Sequence, residues 1–369
     1  MAGLSDSRNR SDWREKIDTI LLKVAPYGFD REPIQKAAEI LRAGGLVAFP
    51  TETVYGLGAN ALDPEAVRGI FAAKERPAYD PLIVHLYSAA DLGRVVQEVP
   101  PLALELASHF WPGPLTLVLP RSGAVPDVVT AGGETVAVRV PSHPVARALI
   151  REAGVPVAAP SANRFGQLSP TRAEDVLADL EGRIDLILDA GPTPVGVEST
   201  VLSLVTPIPT ILRPGGVNRE ALEALLGRVA VRSQPVEPEE VQVSSPGTLP
   251  QHYAPRAKLI LYRGERGPML QVMRDEALRL RAEGLRVGLF LAEEDLDFFA
   301  GLPLILRAAG PEKQLEKVAQ HLFFTLRALD RAQVDIILAR DFGAAGLGLA
   351  IRDRLSRAAG GGVVDVGEA

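Results

Sequence analysis

Residues 44–60 read GGLVAFPTETVYGLGAN. The apolar run Leu46 to Phe49 has the character of a strand and stops at Pro50, which cannot donate to a β-ladder. Beyond it Thr51, Thr53 and Tyr55 offer hydroxyls and Glu52 a carboxylate, while Gly56 and Gly58 leave room for another backbone or a ligand. A strand that ends this way is either a ligand site or an ordinary polar turn, and the stretch alone leaves both open. The rest of the chain has to decide.

Working outward, Pro33 opens a helix that runs to the Gly44-Gly45 stop, and strands then alternate with helices. The pattern predicts strands at Leu46 to Phe49, Leu82 to Leu86, Leu115 to Leu119, Val136 to Val140, Val157 to Ala159, Ile184 to Leu188, Val197 to Leu204 and Thr210 to Leu212. Helices fit at Pro64 to Ala73 after the cap Asp63, at His143 to Ala153 after Ser142, and after a capping box Thr171-x-x-Glu174. This is a layered α/β or α+β domain.

The Pro-, Ser- and Glu-rich stretch Val231 to Arg256 lacks either periodicity and reads as a linker. A second alternation follows: strands at Lys258 to Tyr262, Val287 to Leu291 and Val334 to Ala339, helices at Met269 to Ala282, Gln314 to Leu329 and Leu347 to Ala358. It predicts a small parallel, Rossmann-like α/β domain. Its glycines at 343, 346 and 348 miss the dinucleotide spacing, so a loop-to-helix packing role is the better reading. The expected division is an extension over 1–30, a first domain over 31–230, a linker over 231–256 and an accessory domain over 257–369.

A chain of 369 residues with 47% hydrophobic and 23% charged residues is expected to hold two or three soluble globular domains. Without cysteine there is no disulfide, thiolate metal site or thiol nucleophile, and five histidines without a close pair make a poor zinc site. Catalysis is left to hydroxyls, carboxylates, basic side chains or a bound metal. The amino-terminal MAGLSDSRNRSDWREK has charge but no apolar core, and no run approaches the roughly 18 apolar residues of a membrane span, so a cytoplasmic location is expected. A net charge of -6 argues against a protein devoted to coating nucleic acid.

Further segments carry chemistry, each with a plainer alternative. Lys74 and Arg76 suit a polyphosphate or merely complement a helix end. Ser161 and Asn163 follow an apolar strand at the end where open sheets place ligands, or form a simple turn. Arg139 lies amid valines, with Val136, Val138 and Val140 on one face and Ala137 on its own, and needs either water on an edge strand or a carboxylate partner. His85 is a satisfied core histidine or a ligand contact. Glu198-Ser199-Thr200 and Arg213-Pro-Gly-Gly216 add hydroxyls and a cation at strand ends.

Together these segments resemble the threonylcarbamoyl-AMP synthase family, the YrdC-type proteins, in its longer form with a carboxy-terminal domain. The resemblance rests on FPTETVYGLGANA at 49–61, KERP at 74–77, PLIVH at 81–85, FWPGPLTLVL at 110–119, VAVRVPSHPVARAL at 136–149, APSANRFGQLSPT at 159–171, GVESTVL at 196–202 and ILRPG at 211–215. SPGTLPQHYAPR in the linker also resembles the long form, where it folds back over the nucleotide site.

The resemblance implies a YrdC-like twisted mixed sheet. It also implies condensation of L-threonine, bicarbonate and ATP, with Mg2+ on the phosphates, into threonylcarbamoyl-adenylate, which other proteins use to modify tRNA beside the anticodon. Carried over, threonine would be held by Thr53, His85, Arg139, Ser199 and the backbone near Ala159. ATP would be held by Lys74, Arg76, Thr135, Ser161, Asn163, Ser169 and Arg213, with His252 or Tyr253 from the linker, and Lys74, Arg76, Ser161 and Asn163 would serve the chemistry. Asp80 departs from the usual Asn: a carboxylate cannot donate to the nucleotide as an amide does, so a contact there needs a protonated carboxyl or a metal between the two. Two rival readings are an RNA-binding module with weak tRNA contact, opposed by the net charge and 5% aromatic content, and a carbamoyl-transferring maturation enzyme, whose zinc fingers need cysteine.

Overall fold

The computed structural model describes residues 17–232 and 253–367. The first unit contains β1 (Ile20–Lys23), α1 (Arg31–Arg42), β2 (Val47–Pro50), β3 (Tyr55–Asn60), α2 (Pro64–Lys74), β4 (Ile83–His85), α3 (Pro101–Phe110), β5 (Leu115–Pro120) and α4 (Asp127–Thr130). It continues with β6 (Thr135–Arg139), α5 (Pro144–Ala153), β7 (Val157–Ala158), α6 (Ala173–Leu180), β8 (Leu186–Asp189), β9 (Thr200–Ser203), β10 (Thr210–Arg213), α7 (Arg219–Leu226) and β11 (Ala230–Val231). Its strands form one mixed sheet in the order β1-β8-β2-β3-β7-β4-β6-β5-β9-β10-β11.

The opening stretch folds as a hairpin rather than as a strand and a turn. β3 pairs antiparallel with β2, and Thr51 closes the bend by donating its hydroxyl to the Val54 carbonyl at 2.6 Å. Glycines normally weaken a strand, but here they make room: a Cβ on Gly58 would stand 2.8 Å from the Phe49 ring and 2.9 Å from Val157. β1 likewise falls within the expected extension and pairs in parallel with β8 along the sheet edge.

Two caps differ from expectation. Ser142 does not cap α5: the helix begins one residue later, and His143 takes the post, its Nδ1 accepting from Val145 N–H at 3.2 Å, while the Ser142 N–H donates to Glu52 at 3.1 Å. Thr171 does not cap α6, which starts after Arg172 without a side-chain cap. The Asp175 carboxylate is shared instead between the Thr171 N–H and Arg331 of the second unit. Asp63 caps α2 as expected, accepting from Glu65 and Ala66 N–H.

The second unit contains β12 (Lys258–Gly264), α8 (Arg266–Ala282), β13 (Val287–Leu291), β14 (Ile305–Ala308), α9 (Leu315–Arg331), β15 (Ile336–Arg340), α10 (Gly348–Ala359) and β16 (Val363–Val366). All its strand pairs are parallel, in the order β14-β13-β15-β12-β16. The glycine loop before α10 is a packing device: a Cβ on Gly348 would lie 2.8 Å from the Gly343 carbonyl.

This unit docks on the first beside the Thr51 to Val54 bend. Val54, Leu168 and Val197 share one apolar cluster with Tyr253, Val318 and Phe323. Gly196 lies so close to α9 that a Cβ would meet Gln320 Cα at 2.4 Å, and Arg327–Asp179 at 2.7 Å and Arg331–Asp175 at 2.6 Å pin the contact. Among the described residues no helix is long and apolar enough to cross a membrane.

Candidate active site

Alternation along β6 sends Val136, Val138 and Val140 into the main core. Ala137 goes to the opposite face, where it meets Ile83, Val118, Val201 and Leu212. On that face, at the ends of β4 and β6 and beside the β2-β3 bend, a cleft opens. Its walls include Thr53, His85, Arg139, Ala159 and Ser199, the five residues expected to hold threonine.

Arg139 is not on an edge: β6 lies between β4 and β5. Its first carboxylate partner is internal, with Nη2 2.8 Å from Glu52 Oε2, while Nη1 donates to Thr53 Oγ1 at 3.0 Å. The Glu52 contact is one of charge without aligned hydrogen-bond geometry. Nε is also buried, and neither Nε nor Nη2 donates an aligned hydrogen bond among the described residues. His85, 3% exposed, lies across from Arg139 in the β4-β6 register, edge-on to Phe49. Burial, reinforced by Arg139, pushes its pKa down to about 3, so the ring is neutral near pH 7. Ser199 shares a hydrogen bond with Thr116 at 2.7 Å, and Arg213 donates to its carbonyl at 3.0 Å.

The residues expected at the nucleotide divide. Arg76, Ser161, Arg213 and Tyr253 line the cleft; Lys74, Asp80, Thr135, Asn163 and Ser169 are not among its walls. Lys74 donates to the carbonyls of Ser161, at 2.5 Å, and Asn163. It sits behind the loop instead of facing the cleft, and burial, then the Arg76 charge, drives its pKa far below the usual lysine range. Asn163 spends its amide on the Arg164 and Gln167 carbonyls. Ser169 donates to Glu198 at 2.5 Å. Thr135 opens β6, at the end away from Arg139. His252 lies outside the described residues, as does most of the linker expected to fold back over the nucleotide site.

Asp80 is fully buried, with Oδ2 2.9 Å from Arg76 Nη2. That contact too is one of charge without hydrogen-bond alignment, since both Asp80 oxygens accept none among the described residues. Burial raises its pKa against the pull of Arg76 and Lys74. Arg76 is held by the Asp80 and Pro81 carbonyls, at 3.1 and 2.8 Å.

Sequence reasoning left Glu52, Glu198 and Arg354 off the list. Glu198 lines the cleft and pairs with Arg354 Nε at 2.6 Å. Both glutamates stand inside the quoted motifs, so position flagged them, but the partner of Glu198 lies 156 residues away in sequence and no local signal points to it.

Comparison with known proteins follows the same lines. The family pattern of Sua5, YciO and YrdC, described as "Telomere recombination", matches residues 39–215, and "Threonylcarbamoyl-AMP synthase, C-terminal domain" matches 217–360. The chain is 46% identical to "Threonylcarbamoyl-AMP synthase" of Bacillus subtilis (strain 168), covering 90% of this chain and 94% of that protein. With its namesake in Pyrococcus abyssi the identity is 44%, over 90% of this chain and 96% of that protein. The crystal structure of P. abyssi Sua5 complexed with L-threonine superposes with a TM-score of 0.88 at 42% identity, covering 94% of this chain and all of that one.

Proposed function

Because the chain belongs to the threonylcarbamoyl-AMP synthase family, and is an ATP-using, adenylyl-transferring enzyme, we propose that its cleft seats L-threonine on Arg139 and ATP along Arg76, Ser161 and Arg213. The observation that carries this assignment is Arg139: a buried guanidinium whose Nε and Nη2 lack aligned partners, facing a cleft. A carboxylate fills such a fork well. Thr53, Ser199 and the neutral His85 ring then surround the amino acid with hydrogen-bonding groups that carry no competing charge.

In the reaction the threonine amine and bicarbonate give a carbamate with loss of water, and a carbamate oxygen attacks the α-phosphorus and expels pyrophosphate. No bond to the protein forms, so alignment and neutralisation of phosphate charge are its tasks. Arg76 and Arg213 supply cations. Lys74 serves through the carbonyls of Ser161 and Asn163, setting the loop beside the phosphates. A magnesium ion entering with the nucleotide would neutralise phosphate charge beside Arg76 and Arg213. Proteins that modify tRNA consume the adenylate downstream, and any weak direct tRNA contact would show as binding that falls steeply with salt.

The test is pyrophosphate release by the purified chain with ATP, Mg2+ and bicarbonate, with and without L-threonine. Threonine-dependent release is expected, with serine poorer because one methyl in an apolar niche is worth about 1 kcal/mol. Release independent of threonine overturns the assignment.

A further inference from the structure

One wall of the cleft is assembled from three segments distant in sequence, which present Glu198, Arg213 and Tyr253 to it. A single side chain from the second domain touches all three. Arg354, on α10 and wholly buried, places Nε 2.6 Å from Glu198 Oε2, donates from Nη2 to the Pro214 carbonyl at 3.0 Å, and lays its guanidinium 5.0 Å from the centre of the Tyr253 ring. Nη1 is held by Asp353 at 2.5 Å. Every nitrogen of the group is thus committed to protein, so it acts on the cleft through its neighbours.

Those neighbours transmit position. Glu198 holds Ser169 with its other oxygen. Gly215 is pressed so closely on the 198–200 backbone that a Cβ would stand 2.3 Å from the Glu198 carbonyl. Tyr253 has a φ of 61°, a conformation that a bulky residue keeps only when packing enforces it; Phe323 and Arg354 supply that packing. Charge points the same way. A carboxylate in the wall of a cleft that takes a triphosphate repels its substrate, and Arg354 neutralises Glu198 from outside the cleft.

We propose that Arg354 is a positioning residue through which the second domain sets the nucleotide side of the cleft. The proposal rests on the function argued above. It is tested with Arg354→Met, Arg354→Lys, Glu198→Gln and the double variant Arg354→Met/Glu198→Gln, by steady-state pyrophosphate release with ATP and threonine varied separately. Arg354→Met should raise the KM for ATP at least about tenfold while the KM for threonine stays within about threefold, as expected when a buried charge loses its partner. The double variant should recover at least about threefold of that loss, since the stranded carboxylate is gone. Both KM values rising together, an unaltered ATP KM, or a double variant no better than the single would each overturn the proposal. Should Arg354→Met not fold, Arg354→Lys reads the same split at smaller size, and an unchanged ATP KM there is equally decisive. The native protein run alongside separates the two claims. If it shows no threonine-dependent release the assigned function fails; if it turns over and the variants match it, only the role of Arg354 fails.

Discussion

Arg139 and Arg340 are each the last residue of a strand in the middle of a sheet, and each is almost fully buried, at 3% and 4% exposure. Their surroundings differ. Arg340 is saturated: Nη1 pairs with Asp295 at 2.9 Å, Nη2 with Glu312 at 2.7 Å, Nε donates to the Asp341 carbonyl at 2.9 Å, and the plane covers Phe342. Burial works against its charge, but the bonds to Glu312 and Asp295 raise its pKa above the ordinary arginine value. Arg139 has one aligned hydrogen bond, one charge contact and a cleft in front of it. Arg340 has its donors used within the second domain; Arg139 keeps donors without aligned partners beside open space, and the proposed threonine site rests on that difference.

The largest expected effect breaks or confirms that contrast directly. Arg139→Lys should raise the threonine KM by roughly a hundredfold while leaving the ATP KM within about threefold, because an ammonium cannot reproduce the planar fork. Initial rates of pyrophosphate release check it, and equal effects on both substrates would remove Arg139 from the carboxylate site.

Arg340→Met should do the reverse. It takes from the buried Asp295 carboxylate one of two arginine partners, Arg266 remaining at 2.9 Å, and so should cost about 1–3 kcal/mol of stability, read from the denaturant midpoint, with both KM values unmoved. A changed threonine KM would show that the saturated arginine is not merely structural.

The neutral ring of His85 sharpens the comparison through pH. Its folded pKa of about 3 lies below the ordinary imidazole value of 6.5. Between these values the unfolded chain binds a proton that the folded chain refuses, so the stability it allows is complete above 6.5 and drains as pH falls. Lowering pH from 7 to 5 should cost on the order of 2 kcal/mol through this group. His85→Gln should flatten that part of a Tm against pH curve, and an unchanged slope would mean that the ring is not the group titrating.

The smallest effect marks the boundary of the site. Asp63→Ala removes the cap of α2, the helix that ends at Lys74, and should cost about 1 kcal/mol. Thermal melts measure it. Kinetics should not change, because the cap lies at the end of the helix remote from the cleft.

The alternation of strands and helices was legible in the chain because period and punctuation are local properties: the valines of β6, the Asp63 cap and the strands β12, β13 and β15 stand where their pattern puts them, while the short β14 and β16 at the edges of the second sheet had no counterpart in it. β1 and β3 were not, one because a short edge strand draws its stability from its neighbour β8, the other because its glycines read as a turn until Phe49 and Val157 are seen to fill the space. In the site, motif residues at strand ends pointed to Thr53, His85, Arg139, Ala159 and Ser199, and all five meet in one cleft. Lys74 and Asn163 show what sequence leaves out, since a cation and an amide near a strand end read as nucleotide contacts, while the structure adds that they hold the carbonyls of Ser161, Asn163, Arg164 and Gln167.

Residue order thus determined which chemistry the molecule has to hand: hydroxyls and cations at the ends of apolar strands, no thiol, and a second domain beyond a proline-rich connector. Tertiary structure alone decided the pairings. Whether an arginine is spent or held in reserve depends on which carboxylates arrive beside it, and Glu52, Glu198 and Glu312 come to Arg139, Arg354 and Arg340 across gaps in sequence that no periodicity records. Burial, which sets the cost of a charge and the direction of a pKa, exists only once the sheets have closed.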